Sequence, residues 1–313
     1  MDRIAIGIIG VGKIAVDQHI PALRASPAFT IGATSNLTPV SVAGEERDVA
    51  DYRDLLAMRD IDAVAIATPP QVRYRIAREA IAAGKHVLIE KPPAGSLAEL
   101  FDLAALAQAA GVTLFTAWHS QYNAAVEAAA DALAMRTVTR LRITWKEDVR
   151  HWHPGQTWIW RAGGFGVFDP GINALSIVTR ILPRPVFVAA ADLEFPSNCD
   201  APIGAELTFA SADGPAGADL GAIFDFRQTG LQTWDIEIGT ADGLALRLSA
   251  GGTTLVIDDQ PIELSPSAEY PAIYDRFAQL IVTRTSLVDC APFVLVADAF
   301  MLGRRRTVEP FHE

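Results

Sequence analysis

A glycine-rich turn within the first fifteen residues constrains the fold of this chain more than any other feature. The apolar run Ile4–Ile9 leads directly into Gly10-Val11-Gly12-Lys13-Ile14-Ala15, which has the form G-x-G-x-x-A. The first glycine permits a tight turn, the second lets the backbone approach a pyrophosphate, and the small Ala15 lets a helix pack close to the strand. Because the N-terminus of that helix offers N–H groups to an anion, the pattern predicts a dinucleotide site. An ordinary strand-to-helix turn is the alternative.

Strand-like and helix-like stretches alternate over the next hundred residues. Apolar runs predict strands, and Ala- and Leu-rich stretches with apolar spacings of three and four predict helices between them. Gly84 and Gly111 each follow such a helical stretch, where a helix usually ends. Strands that are apolar on both faces and separated by helices predict a doubly wound parallel sheet. The further strands are predicted at Phe29–Thr34, Ile61–Ala67, His86–Ile89 and Val112–Ala117, and the helices at Arg53–Met58, Val72–Ala83 and Leu97–Ala110.

The pattern changes near residue 120, where strands separated by turn signals become dominant. One Ala-rich helix comes first, and β-branched or alternating apolar runs follow, with turns such as Asp242-Gly243 between them. We therefore predict an α/β chain with two domains. Residues 1–120 form an N-terminal Rossmann domain, and residues 121–313 form an α+β domain with a large, open, mainly antiparallel sheet, whose C-terminal helix can pack back on the first domain. The elements are predicted at Ala124–Met135, Val138–Trp145, Ile172–Ile181, Val186–Phe195, Ala205–Ala210, Gly221–Phe226, Thr233–Gly239, Leu244–Leu248, Ala272–Thr283 and Phe293–Arg304.

Composition excludes several classes of protein. The 313 residues carry 26 basic and 37 acidic side chains, a net charge of −11, which disfavours nucleic acid and anionic membrane surfaces as partners. Two cysteines are too few for a disulfide framework or a zinc module. No uncharged apolar run reaches the ~18 residues of a membrane span, and Lys13 interrupts the N-terminal run with no cleavage site after it. We expect a cytoplasmic globular protein.

The end of the second strand bears on the choice of dinucleotide. An acidic residue there would bind the ribose 2′-hydroxyl of NAD, whereas NADP requires no acid and prefers donors. The strand ends in Thr34-Ser35-Asn36. Ser35 and Asn36 can donate to a 2′-phosphate, and plain turn residues are the alternative. The sequence therefore favours NADP and leaves NAD open.

A second turn, Glu90-Lys91-Pro92-Pro93, follows the strand His86–Ile89. Ligands bind at the carboxyl ends of strands in open α/β sheets, and Pro92 restricts Lys91 to an extended conformation. Such a lysine can donate hydrogen bonds or, with a lowered pKa, accept a proton; a solvated surface charge is the alternative. The dinucleotide site is predicted to comprise Gly10, Gly12, Lys13, Ile14, Ser35, Asn36, Thr68, Pro69, Glu90 and Lys91.

Three segments together resemble a known family. These are the glycine turn, the segment Ala83–Pro92 (AGKHVLIEKP) and the segment Gly163–Asn173 (GGFGVFDPGIN). They resemble the glucose–fructose oxidoreductase/inositol dehydrogenase (Gfo/Idh/MocA) family over essentially the whole chain. The segment Trp145–Trp160 is similar to the bacterial members that oxidise L-arabinose and D-galactose at C1 to their lactones.

The resemblance implies hydride transfer from sugar C1 to a nicotinamide, with Lys91 and Asp169 near the anomeric hydroxyl. Most family members carry histidine where this chain has Asn173, four residues after Asp169. On a helix start these two residues share a face. Because asparagine cannot act as a general base, Lys91 and Asp169 are the candidate proton acceptors, and Asn173 holds a sugar hydroxyl or orients Asp169.

Aromatic, histidine and acidic residues are concentrated around this segment, which fits a sugar pocket. Planar rings suit the C–H faces of a pyranose, and polar groups suit its hydroxyls. Trp118, Trp145 and Trp160 are more simply explained as buried core, and Glu147 as a sugar ligand or a salt-bridge partner. A metal site formed by His151, His153 and Glu147 is disfavoured, because no third histidine follows at helical spacing and there is no HExxH pattern. The predicted substrate ligands are His119, Glu147, Trp152, His153, Asp169, Asn173 and Trp234.

Two alternatives remain open from the sequence. One is a related oxidoreductase acting on another polyol, such as an inositol or a trans-dihydrodiol. The other is a non-catalytic, nucleotide-sensing regulatory protein, because fold alone does not determine function; the presence of both Lys91 and Asp169 counts against it. The resemblance also implies a homodimer or higher homo-oligomer through the open sheet of the second domain.

Overall fold

The computed structural model describes residues 3–36, 47–211, 215, 217–266 and 268–312. The chain divides into two compact units: Met1–His119 with Glu269–Cys290, and Ser120–Ala268 with Ala291–Glu313. This division differs from the predicted ranges 1–120 and 121–313 mainly in one stretch, Glu269–Cys290, which belongs to the first unit.

The helices and strands alternate in the first unit, and strands dominate the second. A π-helical turn over Ala15–His19 leads into the first α-helix. The helices are α1 Ile20–Ala25, α2 Tyr52–Leu56, α3 Pro70–Ala82, α4 Leu97–Ala110, α5 Ala124–Leu133, α6 Val149–Trp152, α7 Phe168–Ile181, α8 Glu269–Thr283 and α9 Ala291–Leu302. The strands are β1 Ile4–Ile9, β2 Phe29–Ser35, β3 Arg47–Val49, β4 Ala63–Ile66, β5 His86–Glu90, β6 Leu114–Ala117, β7 Val138–Lys146, β8 Val186–Pro196, β9 Gly204–Ser211, β10 Asp219–Asp225, β11 Thr233–Thr240, β12 Ala245–Ser249, β13 Thr254–Ile257, β14 Gln260–Pro261 and β15 Arg304–Val308.

The first unit is built on a parallel sheet. Within the described residues its six strands lie in the order β3-β2-β1-β4-β5-β6, and all neighbours are parallel. This is the Rossmann order, in which the strand order reverses beside β1 and a ligand crevice opens at the carboxyl ends of the strands. The predicted doubly wound sheet is confirmed. The short edge strand β3 was not predicted, because Arg47-Asp48-Val49 has no apolar run.

Aromatic packing explains why α8 belongs to the first unit. The ring of Phe29 on β2 lies 5.5 Å from that of Tyr274 and 5.9 Å from that of Phe277, both on α8. Phe277 also stacks on Phe115 of β6. All four rings are buried. Burial of large aromatic side chains is strongly favourable, so this late helix completes the core of the first unit.

The second unit is built on a mixed, mostly antiparallel sheet. Within the described ranges its nine strands lie in the order β14-β13-β12-β11-β7-β10-β9-β8-β15. The pairs β7–β10 and β8–β15 are parallel and the others are antiparallel. The predicted α+β fold of the second domain, with its large and mainly antiparallel sheet, is confirmed. The prediction of helix as far as Arg304 is wrong: α9 ends at Leu302, and Arg304–Val308 forms the edge strand β15.

One face of this sheet is covered by helices. Leu141, Ile143 and Trp145 of β7 are buried, and α5, α7 and α9 pack against the strands. The other face carries ion pairs such as Arg142–Asp219, together with the exposed Phe187 and Ile223. The oligomeric state stays a prediction. In the described part of the chain, no helix is both long and apolar enough to cross a membrane.

Candidate active site

The glycine turn lies at the carboxyl end of β1, beside the residues that follow β4. Gly10 has a φ of +92°, and a Cβ atom placed on it would lie 2.9 Å from the Thr68 nitrogen, so both conformation and space require glycine here. A Cβ atom placed on Gly12 would meet no described atom within 4 Å. Ala15 is fully buried. The three small residues therefore occupy the environments that the G-x-G-x-x-A pattern requires.

The residues at this edge fit a bound dinucleotide. The open side of Gly12 leaves room for a phosphate group against the backbone. Thr68 Oγ1 is buried and has no hydrogen-bond partner among the described residues. Since buried hydroxyls are normally paired, this group is a suitable contact for a ligand in the crevice.

The other predicted dinucleotide residues differ in exposure. Ser35 is buried, and its carbonyl accepts the Gly10 N–H at 2.9 Å, while Asn36 is half-buried. Lys13 and Ile14 are exposed, and Lys13 pairs with Asp17. Pro69 is exposed at the start of α3. Asn36 therefore offers the more accessible polar side chain at the end of β2.

The Glu90 carboxylate points into the first unit. Glu90 is 2% exposed. Its Oε1 accepts hydrogen bonds from the Tyr270 hydroxyl at 2.8 Å and from His19 Nε2 at 3.1 Å. Its Oε2 accepts the Lys91 N–H at 2.9 Å. Lys91 itself is half-buried. The predicted dinucleotide ligand Glu90 thus has interior partners on both carboxylate oxygens.

This buried cluster fixes charge states. Burial alone raises the pKa of Glu90, but the hydrogen bond from His19 and the electrostatic interactions with His19, His119 and Arg73 outweigh it and lower the pKa to about 2. Burial and the negative charge of Glu90 raise the pKa of Tyr270 well above its usual value. Glu90 is therefore ionised at neutral pH, and Tyr270 is a neutral donor.

In the second unit, a glycine-rich loop positions Asp169. Asp169 is the second residue of α7 and is buried. The loop before it packs so closely that a Cβ atom on Gly164 would collide with the carbonyls of Trp158 and Ile159, and one on Gly166 with the carbonyl of Pro202. The N-terminal end of a helix favours a carboxylate. The glycines thus let the chain pass between its neighbours and begin a helix with Asp169 in the first turn.

Gly166→Ala is expected to destabilise the protein. Gly166 has a φ of +52°, which strains any residue with a Cβ atom, and the added Cβ would collide with the carbonyl of Pro202. Gly155→Ala is the matched control, because Gly155 has a φ of +69° but an added Cβ would meet no described atom within 4 Å. The free energy of unfolding, measured with denaturant, should fall by about 1–3 kcal/mol more for Gly166→Ala. Equal losses would contradict the role of close packing.

Asp169 begins a chain of polar contacts. His153 Nδ1 lies 3.7 Å from Asp169 Oδ2, and His153 Nε2 lies 3.1 Å from Glu147 Oε1. The Trp234 indole N–H donates to Glu147 Oε2 at 2.8 Å. Glu147 is 2% exposed, and its two carboxylate oxygens contact His153 and Trp234. The imidazole of His153 is thereby held between two carboxylates.

Tryptophan rings flank this chain. The Trp234 ring lies 4.9 Å from that of Trp152 and stacks on that of Trp145 at 5.8 Å. Trp152 is exposed and can present an apolar face. The expectation of buried core is confirmed for Trp118 and Trp145, which are 1% and 4% exposed; Trp160 is half-buried.

The remaining predicted substrate ligands are Asn173 and His119. Asn173 is half-buried on α7, one turn after Asp169. His119 is in the first unit, where its Nδ1 lies 3.4 Å from Glu269 Oε2. Throughout the residues that the structure describes, no group of three His, Cys, Asp or Glu side chains is arranged to hold a metal ion.

Comparison with known proteins identifies the family. The model of the Gfo/Idh/MocA oxidoreductase family, described as having an NAD-binding Rossmann fold, matches residues 4–118. The whole chain is 45% identical to the whole of a galactose 1-dehydrogenase from Pseudomonas fluorescens. The chain belongs to the Gfo/Idh/MocA family. It is an NAD(P)-dependent oxidoreductase, as the sequence predicted.

Solved structures agree with this family assignment. The crystal structure of a D-galactose-1-dehydrogenase from Rhizobium etli matches 100% of this chain with 99% of its own, at a TM-score of 0.93 and 52% identity. A 3-ketoreductase from Actinomadura kijaniata, in complex with TDP-benzene and NADP, covers 98% of this chain with 100% of its own, at a TM-score of 0.86 and 20% identity. The second likeness concerns the fold alone.

Proposed function

We propose that this oxidoreductase is an aldose 1-dehydrogenase that oxidises C1 of D-galactose to the lactone. The observation that carries the proposal is the 45% identity to a galactose 1-dehydrogenase over the full length of both chains. L-Arabinose is the second proposed substrate, because it differs from D-galactose only in lacking the CH₂OH substituent.

In the proposed reaction, the hydride passes to the dinucleotide and side chains of the protein accept the proton. The glycine turn and Thr68 would hold the dinucleotide, which supplies the hydride acceptor when bound. Lys91 and Asp169 handle the proton of the sugar O1, and Asn173, which cannot be a base, binds a hydroxyl or orients Asp169. Positioning and proton transfer then carry the catalysis.

The contacts of Asp169 support its share of this work. The imidazole of His153 lies beside Asp169 and is anchored on its far side by Glu147. A carboxylate oriented by an anchored imidazole at a helix start is well prepared to accept a hydrogen bond from O1. The exposed ring of Trp152 and its neighbour Trp234 offer apolar faces for the C–H surface of a pyranose.

An aldose panel tests the proposed substrate. Purified protein with NADP or NAD should form reduced nicotinamide with D-galactose and L-arabinose, and hydroxylamine trapping should detect the lactone. myo-Inositol and a trans-dihydrodiol are the comparison substrates. Reduction with only these would favour the polyol alternative, and no reduction with any substrate would favour the regulatory protein.

We further propose that NADP is preferred over NAD. The support is the absence of an acid at Ser35-Asn36 and the partial exposure of Asn36. Initial rates should give a higher kcat/KM for NADP. In Asn36→Asp, an added carboxylate would repel the 2′-phosphate and attract the ribose hydroxyls, shifting the NADP/NAD ratio of kcat/KM toward NAD by about tenfold or more. A wild-type kcat/KM that is higher for NAD would contradict the preference.

A further inference from the structure

A buried guanidinium holds the backbone on both sides of Lys91. Arg73 of α3 is 5% exposed. Its Nη1 donates to the carbonyl of Glu90 at 2.6 Å and also to the carbonyl of Pro92. Its Nε donates to the carbonyl of Thr68 at 2.6 Å. One side chain therefore ties the carbonyls immediately before and after Lys91 to the segment that follows β4.

The amide of Lys91 is held from another direction. Its N–H donates to Glu90 Oε2, and Glu90 Oε1 is bonded to Tyr270 and His19. We call Arg73, Glu90, His19 and Tyr270 the Lys91 clamp. Its members come from α3, β5, the π-helical turn Ala15–His19 and α8. Parts of the first unit that are distant in sequence therefore meet at the turn that contains Lys91.

We propose that the Lys91 clamp positions Lys91 for catalysis, and this inference rests on the proposed role of Lys91 in proton transfer. The lysine side chain is long and flexible, so the place of its ammonium group depends on where its backbone is fixed. A misplacement of about 1 Å in a catalytic group can reduce the rate about 100-fold. The four clamp residues are positioning residues, since they act through Lys91.

The chemistry of the clamp fits positioning better than stability alone. Burying a guanidinium and a carboxylate is costly unless their hydrogen bonds are satisfied, and apolar residues of similar volume often stabilise a fold equally well. Here Arg73 binds the carbonyls of the two residues that flank Lys91, and the Glu90 carboxylate accepts the Lys91 N–H. Fully paired polar networks of this kind rigidify their surroundings.

Tyr270→Phe is the primary test. It removes one donor to Glu90 and retains the ring. We expect kcat to fall about tenfold or more. The Kd for NADP should stay within about threefold of the wild-type value, a change in binding free energy of less than about 1 kcal/mol. Tyr52→Phe is the matched control, because the Tyr52 hydroxyl also donates to a carboxylate of the first unit, that of Glu79 at 3.0 Å, away from the turn. It should leave kcat nearly unchanged.

Arg73→Lys provides a second variant. It keeps the positive charge, but an ammonium group lacks the planar set of donors that reaches three carbonyls. We expect a larger loss of kcat than in Tyr270→Phe, again with little change in the Kd for NADP. A loss that appeared only as weaker NADP binding in both variants would overturn the positioning role.

Amide hydrogen exchange tests the clamp without turnover. In a peptide spanning Leu88–Pro93, the first two amides lose their label by back-exchange, and Pro92 and Pro93 have no amide hydrogen. The exchange signal therefore comes from the amides of Glu90 and Lys91. Exchange of this peptide should be faster in Tyr270→Phe than in the wild type or Tyr52→Phe, with no substrate present. Unchanged exchange in Tyr270→Phe and Arg73→Lys would overturn the proposal.

The two proposals fail differently. If no sugar is oxidised but exchange at Lys91 responds to Tyr270→Phe, the proposed function is wrong and the clamp still holds the turn. If galactose is oxidised and Lys91→Met abolishes turnover, yet Tyr270→Phe and Arg73→Lys keep wild-type kcat and exchange, the clamp proposal is wrong and the proposed function stands.

Discussion

Asp169→Asn is expected to reduce kcat by about 10²–10⁴-fold, the usual contribution of a general acid or base. The substitution preserves shape and removes the charge that faces His153 Nδ1 at 3.7 Å. The Kd for NADP should stay within about threefold, because that variant leaves the glycine turn intact. Steady-state kinetics with D-galactose and fluorescence titration with NADPH measure the two quantities.

Asp54→Asn is the control for this experiment. Asp54 also stands in the first turn of a helix, α2, but it is exposed. It should change neither kcat nor the Kd for NADP. If Asp169→Asn kept kcat within tenfold of the wild type, Asp169 would not be the group that receives the O1 proton. Loss of activity through unfolding is distinguished by the melting temperature of each variant.

Most of the fold could be predicted from local patterns, and two of the strands that could not, β3 and β15, share one cause. The strands of the parallel sheet are apolar on both faces, so β1, β4 and β5 were recognisable as short apolar runs. The edge strands β3 and β15 carry polar sequences, and their pairing depends on neighbours in space. Arg304 of β15, for example, pairs with Asp192 of β8, a contact that a single sequence does not reveal.

The residues of the candidate site also fall into those that local motifs identify and those that only the folded structure reveals. Lys91 and Asp169 lie in compact motifs, so the sequence could name them. Their surroundings could not be named, because Tyr270 meets Glu90 across 180 residues of sequence. One local signal was present: Tyr270 and Tyr274 stand four residues apart and therefore share a helix face. That spacing indicates a buried face but does not identify Glu90 or His19 as its partners.

Lys91→Met and Lys91→Arg together distinguish the two proposed roles of Lys91. Lys91→Met should reduce kcat by about 10²–10⁴-fold. The Kd for NADP should change far less, because Lys91 is one of several predicted dinucleotide ligands and the glycine turn stays intact. Arginine keeps the charge but is not deprotonated in proteins. If Lys91 accepts the proton, Lys91→Arg should be as inactive as Lys91→Met. If Lys91 is a charged donor and Asp169 is the acceptor, Lys91→Arg should regain about tenfold or more of the lost kcat, the scale of one charged hydrogen bond.

Lys146→Met is the matched control for loss of a lysine. Lys146 is half-buried on β7, and because side chains alternate along a strand it lies on the opposite face from Trp145. Its kcat should stay near the wild-type value. If Lys91→Met also kept kcat within tenfold of the wild type, the O1 proton would leave through Asp169 without Lys91, and the hydrogen bonds of Arg73 and Glu90 around this turn would serve its fold rather than catalysis.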